Sequence, residues 1–284
     1  MLPSLVLLLT TGLGDSESAP ISQIAKGEQL YHVAGCVGCH SPPGREHLSG
    51  GRDNPTLFGT FYAPNISSHE DGLAGWQEED FFRAMREGRS PEGARYWPTF
   101  AYMAFTKMSD QDISALWAYL QSQPAVPGTV PENEPRYPDV GLRYWRMRAF
   151  DSGPLAADPE QSEQWNRGRY LVQAVGYCDQ CHTPRRGTGV LKQRQYMGGG
   201  ANPGKEEFHP NLTPDPSYGI PNWQAEDIAR FLETGLKPDG TPTRTDWVMH
   251  EKVEDSYSWW SWEDRLAIGV YLKSLPPVEN DPQG

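Results

Sequence analysis

Cysteine is scarce in this chain, with four among 284 residues, which excludes the dense disulfide framework of small secreted scaffolds. Basic side chains are also in deficit, 25 against 37 acidic, for a net charge of −12. Nucleic acid is thereby excluded as a partner, because binding it needs a basic footprint. Solubility or steering towards a basic partner accounts for the acidity. Long apolar runs are missing too. Leu2 to Leu9 is apolar but far short of the ~20 residues that span a bilayer. Residues 1–20 read instead as a secretory signal, although they lack a basic leading region and an A-x-A cleavage site. No later segment is apolar enough to cross a membrane, so the mature chain is expected to be soluble or peripheral. What is abundant is Gly and Pro, 29 and 26 residues, well above the usual share of about 12%. The 10 Trp, 13 Tyr and 9 Phe argue against disorder. A loop-rich, aromatic-rich chain predicts small helical domains wrapped around something large and flat.

The four cysteines fall in two copies of one phrase, "AGCVGCHSP" and "GYCDQCHTP", with Cys36 and Cys178 142 residues apart. The surroundings repeat as well. "APNISSHEDGLAGWQEEDFFRAMREG" faces "HPNLTPDPSYGIPNWQAEDIARFLETG", matching Asn65 with Asn211, Trp76 with Trp223, Asp80 with Asp227 and Gly88 with Gly235. Further on, "SDQDISALWAYLQSQP" faces "WEDRLAIGVYLKSLP", with Asp112 opposite Asp264. A drifting offset is what loop insertions produce, and the pattern is a tandem duplication.

Each copy predicts three main helices. Gly27, Leu30, Tyr31 and Ala34 share one face of the first, as do Gly168, Leu171, Val172 and Val175. The second helix follows each Trp and stops at Gly88 or Gly235, as a C-terminal glycine does. The third opens with Ser109-x-x-Asp112 or Ser261-x-x-Asp264, a capping box, and Ile113, Leu116, Trp117 and Leu120 share its face. The expected fold class is all-α: a domain over 21–126, a Pro-rich, aromatic linker over 127–160 and a second domain over 161–284. Tyr144, Trp145 and Phe150 are expected to pack the linker against the domains.

Two thiols one helical turn apart can add to the two vinyl groups of a haem, and a histidine directly behind them then sits beneath the iron. C-x-x-C-H is read as c-type haem attachment for that reason. A thioredoxin-like pair needs a βαβ setting, a four-cysteine zinc site wants the pairs ~15–20 residues apart, and disulfides leave the paired histidines unexplained. The assignment is therefore two covalently bound haems c, attached through Cys36 and Cys39 and through Cys178 and Cys181. His40 and His182 are the expected axial iron ligands on one side. Met raises the potential of an electron-transfer haem when it takes the second axial position. Met249 stands in the second copy's loop, with His250 as its rival. The first copy's loop offers Met103 and Met108. Met108 directly precedes the helix cap, where an apolar residue staples onto the helix, so Met103 and Met249 are the expected ligands. Trp76 and Trp223 are read as core. Asn65 and Asn211 hold either a loop or the haem edge. His32, His47, His69 and His209 are read as surface residues.

The whole mature chain resembles the multihaem cytochrome c subunits of bacterial membrane-associated dehydrogenases for alcohols, gluconate and related substrates. The resemblance rests on "FGTFYAPNIS", "GWQEEDFFRAMREG", "NRGRYLVQAVGYCDQCHTPR", "PNLTPD", "AIGVYLKSLPP" and the linker "NEPRYPDVGLRYWRMRAF". It implies two tandem class I cytochrome c domains and a dehydrogenase-associated role. That family usually carries a third haem domain and a C-terminal membrane anchor, neither of which is visible before Gly284. It also often has Met-Pro-Tyr where this chain reads Phe100-Ala101-Tyr102, so Met103 rests on spacing within the loop. The expected function is a periplasmic dihaem electron carrier. It would take electrons from a dehydrogenase or quinol-oxidising complex and pass them to a cytochrome or terminal oxidase. A dihaem peroxidase or thiosulfate-oxidising enzyme is the alternative, and it needs an iron with an open position. A third reading is a haem subunit that only docks inside a larger complex. Each domain is expected to depend on its haem to fold.

Overall fold

A computed structural model describes residues 22–201, 208–243 and 248–283; the expected signal segment at 1–20 lies outside the described residues. The first half opens with α1 (Gln23–Val33), α2 (Cys36–His40), the hairpin β1 (Asp53–Thr56) and β2 (Gly59–Tyr62), and α3 (Glu78–Glu87). It continues with α4 (Tyr102–Phe105) and α5 (Asp110–Ser122). A third short strand, β3 (Glu134–Pro135), pairs with β2. After α6 (Asp139–Ala149) come α7 (Glu163–Tyr170), a π-helical stretch Leu171–Val175 and α8 (Asp179–His182). The strands β4 (Gly200–Ala201) and β5 (Phe208–His209), then α9 (Ala225–Thr234), α10 (Val248–Asp255) and α11 (Trp262–Lys273), complete the order. The expectation of an all-α fold is thus met by helices, with two small antiparallel sheets added to the loops.

The expected helix signals are where they form. Ser109 and Ser261 each accept a hydrogen bond from the backbone N–H three residues on, Asp112 and Asp264, both at 3.1 Å. Gly88 and Gly235 end α3 and α9 in the left-handed region, at φ 57° and 69°, where only glycine pays no Cβ penalty. Asp80 and Asp227 close reciprocal capping boxes with Gln77 and Gln224.

Two helix crossings organise the core, and each depends on a glycine. A Cβ at Gly27 would stand 2.0 Å from the Ala115 carbonyl oxygen, and one at Gly168 1.9 Å from that of Ala267. Hydrogen at these positions lets α1 lie on α5, and α7 on α11, at backbone contact. Beside each glycine a cation clasps the cap of the partner helix: Lys26 to Asp112 at 2.5 Å and Arg167 to Asp264 at 2.7 Å. Tyr31, Ile113, Val172 and Val175 are wholly buried around these crossings.

One residue distinguishes the two halves just before their cysteines. Gly35 directly precedes Cys36, whereas Tyr177 stands between Gly176 and Cys178. The widened turn Leu171–Val175, closed by Gly176 N–H to the Leu171 carbonyl at 2.7 Å, takes up the difference. Tyr177 follows in the left-handed region at φ 39°. The linker contains α6. Trp145 does pack, donating from its indole N–H to the Thr188 carbonyl at 3.0 Å, and Phe150 is half-buried. Tyr144 does not: it stays 57% exposed beside Val140 and Met147.

Candidate functional site: two histidine cages behind C-x-x-C

α2 begins at Cys36 and α8 directly follows Cys178, so each C-x-x-C-H segment winds through about one helical turn. The second cysteine and the histidine therefore follow the first on adjoining faces of a turn. None of the four cysteines is joined in a disulfide, which removes the disulfide reading. Burial pushes the Cys36 and Cys178 thiols up to about 12. A redox-exchange cysteine needs the opposite shift, towards thiolate. Among the described residues no three His, Cys, Asp or Glu converge to hold a bare ion, so the zinc reading has no site either.

The histidines are held alike. His40 Nδ1 lies 2.8 Å from the Pro64 carbonyl, and His182 Nδ1 lies 2.8 Å from the Pro210 carbonyl. A carbonyl can only accept, so each Nδ1 carries the proton and each Nε2 keeps its lone pair. That is how a protein orients a metal-binding imidazole. Burial lowers both pKa values, His182 to about 4 despite its bond to Pro210, and keeps the rings neutral. Two cysteines one turn apart, backed by an imidazole with an available Nε2, match the donor set of a covalently attached haem.

The cage around each histidine recurs bond for bond. Gly50 N–H donates to the His40 carbonyl at 2.9 Å, and Gly199 N–H to that of His182 at 2.8 Å. Ser41 Oγ accepts from Leu48 N–H at 2.7 Å, and Thr183 Oγ1 from Met197 N–H at 3.0 Å. Leu48 and Met197 are wholly buried and both left-handed, at φ 67° and 58°, a conformation that is unusual outside glycine and asparagine. The same two residues then accept at their carbonyls from Ile66 and Leu212, each at 2.9 Å. No sequence signal marked Leu48 or Met197, because neither residue type advertises that backbone conformation.

Asn65 and Asn211 have a plain duty. Asn65 Nδ2 donates to the Val126 carbonyl at 2.8 Å and its Oδ1 accepts from Ser67 N–H at 2.8 Å. Asn211 does the same with Val278 at 2.7 Å and Thr213 at 2.9 Å. Each therefore ties the loop bearing the histidine's carbonyl partner to the chain beyond the last helix. They hold the loop, which is one of the two expected roles.

On the methionine side, Met108 is wholly buried in the core, as its place before the cap implies. Met103 is half-buried on α4, and Met249 half-buried on α10, packed against the core. Trp76 and Trp223 pack against that core as expected. Two histidines depart from the surface reading. His32 stacks on Trp259 with ring centroids 3.8 Å apart and planes 1° from parallel. His209 meets His182 edge-on at 5.8 Å. Both contacts join segments far apart in sequence or in a loop, and nothing local announces them.

The cytochrome c family model matches residues 24–124. Over 267 residues the chain is 35% identical to a "diheme cytochrome c-type" protein of Cereibacter sphaeroides, covering 90% of this chain and 87% of that one. The chain belongs to the multihaem c-type cytochromes. It is also 32% identical to the fructose dehydrogenase cytochrome subunit of Gluconobacter japonicus, over 91% of its own length. A third relative, 30% identical over 98% of the chain, is the cytochrome c subunit of the quinone alcohol dehydrogenase of Gluconobacter oxydans. The chain spans 54% and 59% of the length of those two subunits. Covalently bound haem c is accordingly this chain's cofactor. No helix among the described residues is long and apolar enough to cross a membrane.

Proposed function

We propose that this chain is a periplasmic dihaem cytochrome, built as two tandem haem domains, that passes single electrons as a subunit associated with a dehydrogenase. The observation that carries the reading is the repeated cage: two C-x-x-C pairs outside any disulfide, each backed by an imidazole whose Nδ1 is spent on a proline carbonyl. Each haem, once attached, supplies a one-electron ferric/ferrous couple. Cys36 and Cys39 bind one through thioethers, and Cys178 and Cys181 the other. His40 and His182 offer Nε2 to the irons, and the proline carbonyls fix the angle of each ring. Met103 and Met249 would complete the iron ligand sets, and their thioethers would keep water and substrate off the irons. The donor is a dehydrogenase or quinol-oxidising complex, and the acceptor a further cytochrome or terminal oxidase. Dehydrogenase names among the relatives support the donor side of this reading.

The test is carbon monoxide binding to the dithionite-reduced protein, followed in the haem absorption spectrum. Both haems should leave the gas unbound, because two axial ligands close each iron. Prompt binding at one haem would refute its methionine as ligand and reopen the peroxidase or thiosulfate-oxidising alternative.

A further inference from the structure

The two C-x-x-C-H segments meet at a seam that the repeat does not explain. Lys252, on α10 and one turn beyond Met249, donates from Nζ to the Tyr177 hydroxyl at 2.5 Å. Tyr177 is the extra residue before Cys178. Its ring meets Phe105 edge-on at 5.7 Å, two residues after Met103. On the other side lies Gly35, directly before Cys36. A Cβ there would come within 2.1 Å of Lys252 Nζ and 3.1 Å of the Tyr177 hydroxyl. The next residue on the helix, Glu251, pairs with Arg52 at 2.9 Å, and Arg52 also donates to the Gly38 carbonyl, inside the first C-x-x-C, at 2.9 Å. The helix that bears the second copy's methionine is thus fastened to the first copy's attachment turn. The ammonium acts electrostatically on cysteines of both copies, Cys36 and Cys178 among them. Burial pulls its pKa down, but the Tyr177 oxygen leads the groups that bring it above its ordinary value, so it is charged at neutral pH.

We propose that Lys252 is a fixed cation shared by the two haem sites, raising both reduction potentials, with the Tyr177 hydroxyl holding it in place. The proposal rests on the two-haem reading above. The reason is electrostatic. One-electron reduction lowers the charge of an iron by one, so a nearby fixed positive charge favours the reduced form. Once the sulfurs are thioethers they carry no charge to cancel the ammonium.

The haem-loaded protein decides the matter in two steps. Haem content per chain, from the pyridine haemochrome spectrum, comes first; fewer than two overturns the dihaem reading and this proposal with it. Spectroelectrochemical titration of wild type, Lys252→Met and Lys252→Arg follows, with far-UV circular dichroism to establish that each variant is folded. Lys252→Met should lower both midpoints, each by about 59 mV, a tenfold change in a one-electron equilibrium. Lys252→Arg should restore them, because it keeps the charge. Two haems with both midpoints moved less than about threefold in that equilibrium overturn the role of Lys252 and leave the dihaem reading standing. A shift at one haem alone overturns the shared cation. An equal fall in the Met and Arg variants assigns the effect to packing and overturns it as well. Should Lys252→Met not fold, Lys252→Gln is read by the same criteria.

Discussion

Replacing Asn211 with alanine tests the link between the fold and His182 most directly. Asn211 is wholly buried. Its amide donates to the Val278 carbonyl at 2.7 Å, while its oxygen accepts from Thr213 N–H at 2.9 Å and from the Thr213 hydroxyl at 2.7 Å. Alanine removes these three bonds and a longer one to the Asn280 carbonyl at 3.4 Å, leaving a buried backbone donor and a part-buried backbone acceptor without them. Each such group costs about 1–3 kcal/mol. With the lost loop packing, the expected destabilisation is about 3–4 kcal/mol. Pro210 is the adjacent residue and carries the carbonyl that orients His182, so ring and loop should loosen together.

The assay is urea unfolding of the haem-loaded protein at pH 7, followed by tryptophan fluorescence and by the haem spectrum in parallel. Asn65→Ala should give a loss of similar size, through Val126 and Ser67. Asn211→Asp keeps the acceptor but sets a carboxylate against the Val278 carbonyl, and should be no more stable than alanine. Losses below about 1 kcal/mol in both alanine variants would refute the argument, since the smallest cost of even one orphaned buried group is of that order.

Two further outcomes follow from the crossings and from burial. Gly168→Ala drives a Cβ to within 1.9 Å of the Ala267 carbonyl oxygen, a backbone atom that cannot turn aside, and should cost about 3 kcal/mol in the same assay. Gly187→Ala faces open space and should stay within about 0.5 kcal/mol of wild type; equal effects would refute the close-approach argument. The pH dependence has a definite sign. Burial, against the pull of its Pro210 bond, sets His182 at about 4 in the fold, below the ~6.5 of an unfolded chain. Between those values the unfolded chain holds more protons, so stability is present above pH 6.5 and falls with pH. Ligation of Nε2 to iron works in the same direction. The urea midpoint should therefore drop between pH 7 and pH 5 by the equivalent of about 2 kcal/mol, and an unchanged midpoint would contradict a neutral, buried His182.

Features carried by local chemistry were legible from the residues alone. Gly88 and Gly235 ended their helices because a left-handed C-terminal residue needs no partner beyond its own turn. Ser109 and Ser261 capped for the same reason. The C-x-x-C-H pentapeptide is likewise complete within five residues. What stayed hidden depends on distant or unadvertised partners. Asn65 reaches across 61 residues and Asn211 across 67, so their roles could be narrowed but not chosen. α6 was read as linker because Pro138 caps it without a side-chain bond and only Leu142 and Trp145 on it are buried. Leu48 and Met197 hold a backbone conformation that their side chains disfavour.

The cage and the seam divide the work of the two sites. His40 and His182 have the same carbonyl distance, the same carbonyl donor pattern and the same hydroxyl-anchored turn. Those bonds fix tautomer and ring angle equally, so they cannot make one histidine differ from the other. Any electrical difference must come from groups without a counterpart. The pair between the cysteines is Val37 and Gly38 in one copy but Asp179 and Gln180 in the other. His209 lies against His182, and nothing equivalent stands beside His40 in the repeat. Asp179 is 4% exposed, and burial raises its pKa, so its charge acts in a medium that screens poorly. The repeated bonds thus hold the two histidines in one way, and the unrepeated residues give each its own electrostatic setting.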